Sequence, residues 1–313
     1  MEPTRQQGSD YHIPVLFHET MEGLAIKPEG VYVDCTFGGG GHSKGILERL
    51  GPTGKLVAFD QDADAVRNLP PDERVVFVQA NFRYLQRFLR LNSVMEVDGV
   101  LADLGVSSHQ FDIGDRGFST RFDGPLDMRM DQRQDSTASM LLKTFSEEAL
   151  HKMFEQYGEV TNAKTLAKHI VAQRKQVPLQ TIAHFKTLIH PVVKGNPNKY
   201  LAQVFQAIRI QVNDEMGALT EMLSQLPEIL KPGGRAAIIT FHSLEDRLVK
   251  NFFKRGTMEA LQENPLIQQE EKSELKIITK KPVIATAAEM KRNPRSRSAK
   301  LRIAEKIGIA DNG

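Results

Sequence analysis

The sequence predicts an α/β fold in which a parallel sheet, covered by helices on both faces, is broken by an inserted helical domain. Three observations carry that expectation. Short apolar runs at Val31 to Thr36, Lys55 to Asp60, Val75 to Gln79 and Asp98 to Leu104 alternate with segments of helical spacing, as strands buried on both faces do. The alternation stops from Gly105 to about Asn198, where a loop rich in Gly, Asp and Arg leads into helices. It resumes at Arg235 to Phe241 after a helix expected over Tyr200 to Leu230.

The first crossover begins at a run of glycines and continues through Ile46, Leu47 and Leu50, completing a βαβ unit whose crossover should be right-handed. A helical stretch around Tyr84 to Leu91 joins the third strand to the fourth. In the insertion, Thr144 with Glu147 three residues on has the form of a capping box. Leu150, Met153, Phe154 and Tyr157 then recur at helical spacing. Pro178 and the Pro191 to Pro197 stretch punctuate further helices.

Lys231-Pro232-Gly233-Gly234 should end the long helix, since proline cannot continue it and glycine accepts the turn. Ser243 with Asp246 opens the next helix, through Leu248, Phe252 and Phe253. The tail adds strands at Leu275 to Thr279 and Leu301 to Ala304 on either side of a basic linker. The expected organisation is a core of residues 1–108, an inserted helical domain over 109–199, and a second core part over 200–313 with a basic C-terminal segment.

A chain of 313 residues exceeds the usual single domain, consistent with a core plus an insertion. A net charge of +2 with 26% charged residues selects no partner by itself. Cys35 is the only cysteine, so an intramolecular disulfide and an all-cysteine metal site are excluded, and a reducing compartment, the cytoplasm, is expected. No apolar run reaches the roughly 20 residues of a membrane span. Met1 to Tyr11 is polar and lacks a signal-peptide core.

In open α/β sheets, ligands bind beyond the carboxyl ends of the strands where strand order reverses, and the turn after the first strand forms the floor. Here that turn is Asp34-Cys35-Thr36-Phe37-Gly38-Gly39-Gly40-Gly41-His42. Four consecutive glycines permit positive φ and close approach of a ligand. Asp60, ending the second strand, is the expected partner of a ribose, with Asp62 and Asp64 as competitors. The dinucleotide spacing G-x-G-x-x-G fails: from Gly38 its last position is Ser43, and from Gly39 it is Lys44. With no pyrophosphate cradle, and with the acidic Asp34 suited to a sulfonium cofactor bearing a free amino group, S-adenosylmethionine is the expected cofactor. Phe82 is placed either to pack on an adenine or to fill the core. No metal site is expected.

The fourth strand ends in Asp103-Leu104-Gly105-Val106-Ser107-Ser108-His109-Gln110. Together with Gly40-Gly41-His42, this segment begins an ordered set of motifs. Arg116-Gly117-Phe118-Ser119 and Asp123-Gly124-Pro125-Leu126-Asp127-Met128-Arg129-Met130 come next. Phe241-His242-Ser243-Leu244-Glu245-Asp246-Arg247 and Asn293-Pro294-Arg295-Ser296-Arg297-Ser298-Ala299-Lys300-Leu301-Arg302 complete it.

In these segments the chain closely resembles the bacterial ribosomal RNA small-subunit methyltransferase H family. The resemblance implies a Rossmann-like S-adenosylmethionine-dependent methyltransferase sheet with an inserted helical RNA-recognition domain. It also implies methylation of N4 of a cytidine in the decoding region of 16S ribosomal RNA within the small subunit. Cofactor contacts are implied for Gly40, Gly41, His42, Asp60, Phe82, Asp103 and Gln110. His109 stands where the family has proline, and Gly39 replaces a larger residue.

An exocyclic amine is a poor nucleophile, but the methyl group of such a cofactor is already activated. Alignment, hydrogen-bond acceptors and exclusion of water therefore suffice. Asp103 is the first candidate to orient the amine, or else holds the cofactor; Ser107, Ser108 and His109 follow. Cys35, inside the end of the first strand, is not expected to be a nucleophile. His242 is either a base contact or a local cap, and Phe118 is a candidate to stack on an unstacked target base. Lys291, Arg292, Arg295, Arg297, Lys300, Arg302 and Lys306, facing only Glu305, read as phosphate contacts. Arg116, Arg121, Arg129 and Arg133 form a candidate second surface. The rival classes are a DNA or small-molecule methyltransferase on the same fold, and an RNA-binding protein or oxidoreductase.

Overall fold

A computed structural model describes residues 14–257 and 273–308. The polar Met1 to Tyr11 stretch lies outside the described residues. The first half of the chain lays down α1 (Phe17–Leu24), β1 (Val31–Asp34), α2 (Gly41–Leu47), β2 (Lys55–Phe59), β3 (Val75–Val78), α3 (Leu85–Leu91), β4 (Val97–Asp103) and α4 (Ser108–Asp112). Helices α5 (Ala138–Thr144), α6 (Glu147–Gln156), α7 (Ala163–Gln173), α8 (Ile182–Ile189) and α9 (Pro197–Asn213) follow. The chain closes with α10 (Glu215–Ile229), β5 (Leu230–Thr240), α11 (Ser243–Arg255), β6 (Leu275–Ile277), β7 (Val283–Ile284), α12 (Ala287–Arg292) and β8 (Lys300–Lys306).

The strands form one sheet in the order β3-β2-β1-β4-β5-β8-β6, with β7 also on β8. From β3 to β5 all neighbours are parallel; β8 is antiparallel to β5, β6 and β7. The sheet is a Rossmann-like α/β sheet, and its order reverses between β1 and β4, so their carboxyl ends open the crevice where ligands bind in such folds.

The alternation of a strand sorts the core into two faces. Val33, Val57, Val100, Ala102 and Ile238 pack with Leu85 and Leu89 of α3, Leu219, Met222, Leu223 and Leu226 of α10, and Phe252 and Phe253 of α11. Tyr32, Leu56, Leu101 and Ile239 face the other way, against Leu16, Met21 and Leu24 around α1 and Ile46, Leu47 and Leu50 around α2. Helix α1 is absent from the sequence expectation. It starts after Leu16 in left-handed conformation, with no side-chain cap, so it carries none of the usual start signals.

A separate core runs from Phe118 to Val212 and includes Leu141, Phe154, Leu166, Ile170, Phe185 and Ile208. The helix expected over Tyr200 to Leu230 is two helices, broken at Asp214, which adopts φ 47°. Tyr200, Val204, Phe205 and Ile208 of α9 pack into the helical core, whereas α10 packs on the sheet. The return to the sheet therefore falls at Asp214 rather than at residue 200.

Two helix starts differ from expectation. Ser146, not Thr144, caps α6, its Oγ accepting from Ala149 N at 3.1 Å; Thr144 ends α5 and donates to Met140 O. His242, not Ser243, caps α11 in a reciprocal box with Glu245. In both cases the cap is the residue whose own backbone is extended, as capping geometry requires. The helix α10 stops at Ile229, ahead of Lys231-Pro232-Gly233-Gly234. That tetrapeptide bulges β5, so that pairing with β4 jumps from Leu230 at Val97 to Arg235 at Gly99.

Candidate active site

The floor of the crevice is set by backbone conformation. Gly38 and Gly40 sit at φ 50° and 74°, where a side chain is strained. A Cβ on Gly40 would stand 3.0 Å from the Phe37 ring, whereas one on Gly39 would meet nothing within 4 Å. The space at Gly39 would accommodate a larger residue. The Gly38 N–H donates to Asp60 Oδ2 at 2.7 Å, and Asp62 N–H donates to Asp60 Oδ1 at 2.8 Å. Asp60 thus clamps the glycine turn to the end of β2. Burial, with Asp62 and Asp34 nearby, pushes its carboxyl up to about 6.

The wall opposite is the turn after β4. A Cβ on Gly38 would lie 3.8 Å from that of Ser107, and Gly38, Asp60, Asp62, Asp64, Ser107 and His109 line one cleft. Ser107 caps α4: its Oγ accepts from Gln110 N, and Gln110 Oε1 accepts from Ser107 N, both at 3.1 Å. Gln110 Nε2 donates to Asp62 Oδ2 at 2.7 Å, so this amide braces the Asp60 to Asp62 loop. Ser108 opens α4; its side chain lies outside the described part of the structure. His109 is half exposed, 3.5 Å from Asp64. Phe82 follows β3 with its ring half-buried against the sheet core. Its neighbour Asn81 reaches the Asp60 to Asp62 loop, its Nδ2 donating to Gln61 Oε1 at 2.9 Å.

The two acids at the sheet's reversal point behave differently. Asp34 is fully buried with both oxygens engaged, one by Thr36 N at 3.0 Å and the other by Ser43 Oγ at 2.7 Å. Buried and bound on both oxygens from within its own turn and the start of α2, it braces the glycine turn. Asp103 is a quarter exposed, and its Oδ1 is buried without a hydrogen-bond partner. Withdrawal from water, then Asp34 and Glu245, push its carboxyl up to about 8. An orphaned, crowded acid of this kind favours a cationic or donor-rich ligand. Thr36 Oγ1 accepts from Asp103 N at 2.7 Å and fixes its backbone, a role for Thr36 that residue type alone did not indicate.

His42 Nε2 lies 3.1 Å from Val15 O. A carbonyl only accepts, so Nε2 carries the proton, and Nδ1 presents a lone pair to Asp103 Oδ2 at 3.6 Å. Burial lowers the imidazole to about 4, keeping the ring neutral. Cys35 is buried, and burial pushes its thiol well up, which disfavours a thiolate.

His242 serves its helix, as the local-cap alternative has it: Nδ1 accepts from Glu245 N at 3.4 Å, and Nε2 lies 3.1 Å from Glu245 Oε1. Glu215 completes a cluster with them of metal-binding size. However, Arg209 grips Glu215 through Nε and Nη2 at 2.8 and 2.9 Å. A guanidinium already bound there opposes a second cation.

Other expected contacts are internal. Phe118 is buried in the helical core and cannot stack on a base. Arg116 is 5% exposed and donates to Asp62 Oδ2 at 2.7 Å and to the carbonyls of Arg129 and Met130. Arg129 is bidentate on Asp127 at 2.7 and 2.8 Å. Arg302 and Lys300 pair with Asp246, and Lys306 with Glu274. Arg121 and Arg133 remain more than half exposed, and Lys291, Arg292 and Arg297 are exposed in the tail. The acid partners of Arg116 and Arg302 lie 54 and 56 residues away in sequence, which is why the pattern did not reveal them. Among the described residues, no helix is long and apolar enough to cross a membrane.

A glycine-floored crevice at the reversal point, with an orphaned acid on the next strand, defines the class as an α/β enzyme acting with a nucleotide-type cofactor. The model of the MraW methylase family matches residues 9–307. The chain is 53% identical over 304 residues to the ribosomal RNA small subunit methyltransferase H of Parabacteroides distasonis, covering 96% of this chain and 99% of the relative. It is 53% identical over 299 residues to the protein of that name from Flavobacterium johnsoniae, covering 95% and 98%. The chain belongs to the MraW methylase family.

Proposed function

We propose that this protein transfers a methyl group from S-adenosylmethionine to N4 of one cytidine in the decoding region of 16S ribosomal RNA, acting on the small ribosomal subunit. The observation that carries the reading is the orphaned Asp103 Oδ1 at the sheet's reversal point, beside the glycine turn. The full-length match to relatives named for small-subunit ribosomal RNA methylation supports the acceptor.

The residues present fit the cofactor. Gly38, Gly40 and Gly41 admit its methionine end against the backbone, Asp60 has lone pairs left for ribose hydroxyls, and Asp103 meets the cationic end. When bound, S-adenosylmethionine supplies a methyl group on a sulfonium, activated for attack by nitrogen. His42, neutral and held by Val15, keeps the Nδ1 lone pair directed toward Asp103 Oδ2 at 3.6 Å. Gln110 and Arg116 hold the Asp60 to Asp62 loop in register. Ser107 and Ser108, on the turn after Asp103, are the hydroxyls we assign to the target base, which must leave its stack to reach this edge.

We also propose that the helical core between β4 and α10 is the RNA-recognition part, flanked by the two halves of the methylating core. The test is transfer of label from S-adenosylmethionine to small subunits isolated from a strain lacking the protein, with mass mapping of the RNA. One new N4-methylcytidine is expected. A site already methylated in that strain, or no transfer to its subunits, would overturn the reading.

A further inference from the structure

A cavity of about 490 Å³ opens where α4, the insertion loop and the C-terminal tail meet, lined by Phe111, Asp112, Arg121, Arg292, Asn293 and Arg295. Three guanidinium groups face one carboxylate, so the cavity carries excess positive charge. Asp112 Oδ1 accepts one bond from Arg121 Nη2 at 3.0 Å and one from Arg295 Nη2 at 2.8 Å. Each guanidinium has five N–H donors, so most remain unused by Asp112. The two arginines lie over the Phe111 ring at 5.2 and 5.1 Å from its centre, which holds both in place. Arg292 forms no ion pair among the described residues.

Asn293 adds an independent pointer. Its Oδ1 accepts from Arg295 N at 3.2 Å, which fixes the amide's orientation. Its Nδ2 is buried with no hydrogen-bond partner. Apart from Asp112 and the Phe111 ring, then, the polar side chains of this wall offer donors without acceptors, and the matching ligand is an acceptor-rich anion. The position is also informative. Phe111 and Asp112 sit about one helical turn, about 5.4 Å along the axis, beyond Ser107 and Ser108.

We infer that this cavity seats a backbone phosphate of the RNA next to the target nucleotide, a proposal that rests on the RNA reading above. The seat draws one arginine from the insertion loop and two from the tail. It therefore fixes the strand against both parts of the protein while the target base enters the crevice.

The test uses the full-length protein, labelled S-adenosylmethionine and unmethylated small subunits at several salt concentrations. The double variant Arg121→Gln, Arg292→Gln should raise KM for subunits about tenfold, as expected for losing hydrogen bonds to a charged group. It should also flatten the salt dependence by about one to two in log-log slope. Its affinity for the cofactor and its thermal midpoint should not change. Asp112→Asn should lower KM, because two guanidinium groups are freed for phosphate. An unchanged KM and salt slope in the double variant overturns the proposal. So does an Asp112→Asn variant whose KM rises as much as that of the double variant, since the ion pairs would then be only structural. Failure of the wild-type protein to methylate subunits would instead overturn the RNA reading itself.

Discussion

Two arginine clusters of this protein use the same chemistry at opposite levels of burial. At the junction of crevice and insertion, Arg116 is sealed between Asp62 and two backbone carbonyls, with both side chains of the pair less than a tenth exposed. At the rim, Arg121 and Arg295 share Asp112 in water. The buried cluster ties the insertion to the loop that carries Asp60, and the exposed one leaves donors free for a ligand. An arginine's contribution here depends on whether its acid partner has another way to be solvated.

Substitutions separate the two clusters. The largest expected loss of stability is from Arg116→Ala, which leaves Asp62 buried without its counter-charge and should cost about 3–5 kcal/mol in denaturant melts. A cost below about 1 kcal/mol would place Arg116 with the rim. Asp103 has no counter-charge at all, so Asp103→Asn should lower methyl transfer on the order of 100-fold or more.

The sign of its effect on stability is opposite. The carboxyl stands near 8 in the folded protein against an ordinary 3.8, so its contribution to stability is complete below about pH 4 and is lost as pH rises through 8. Asp103→Asn should therefore match wild type near pH 4 and exceed it by several kcal/mol, at most about 5–6 kcal/mol, at pH 8.5. A variant less stable at both pH values would contradict that account.

Smaller effects follow. Asp60→Ala should weaken S-adenosylmethionine binding by about 1–3 kcal/mol in calorimetric titration; unchanged affinity would move the ribose contact to Asp62 or Asp64. Arg121→Ala should change stability by less than about 1 kcal/mol, and a larger loss would erase the distinction between junction and rim.

Much of the sheet was legible because its central strands are short apolar runs, as burial on both faces demands, and β1, β2 and β4 end at or just before Asp34, Asp60 and Asp103. Helix α1 was not legible, since Leu16 replaces the polar cap that normally announces a helix. The break at Asp214 escaped because apolar spacing continues through it, and only the left-handed backbone of Asp214 separates α9 from α10. In the site, the glycine turn, Asp60 and Asp103 were readable from their places at strand ends. The division of labour between Asp34 and Asp103 was not. It depends on Ser43 and Thr36 reaching Asp34 and nothing reaching Asp103 Oδ1.

The adjacency of β4 and β5 has a further consequence, for the order of folding. These strands are neighbours in the sheet, yet all of the helical core lies between Asp103 and Leu230. During synthesis the β3-β2-β1-β4 half must wait with an open edge on β4 until the whole insertion has been made. Closing so long a loop carries an entropic penalty that a compact insertion with near ends reduces. Nascent chains arrested before Leu230 should therefore expose a parallel strand edge and aggregate, whereas chains released after β8 should not.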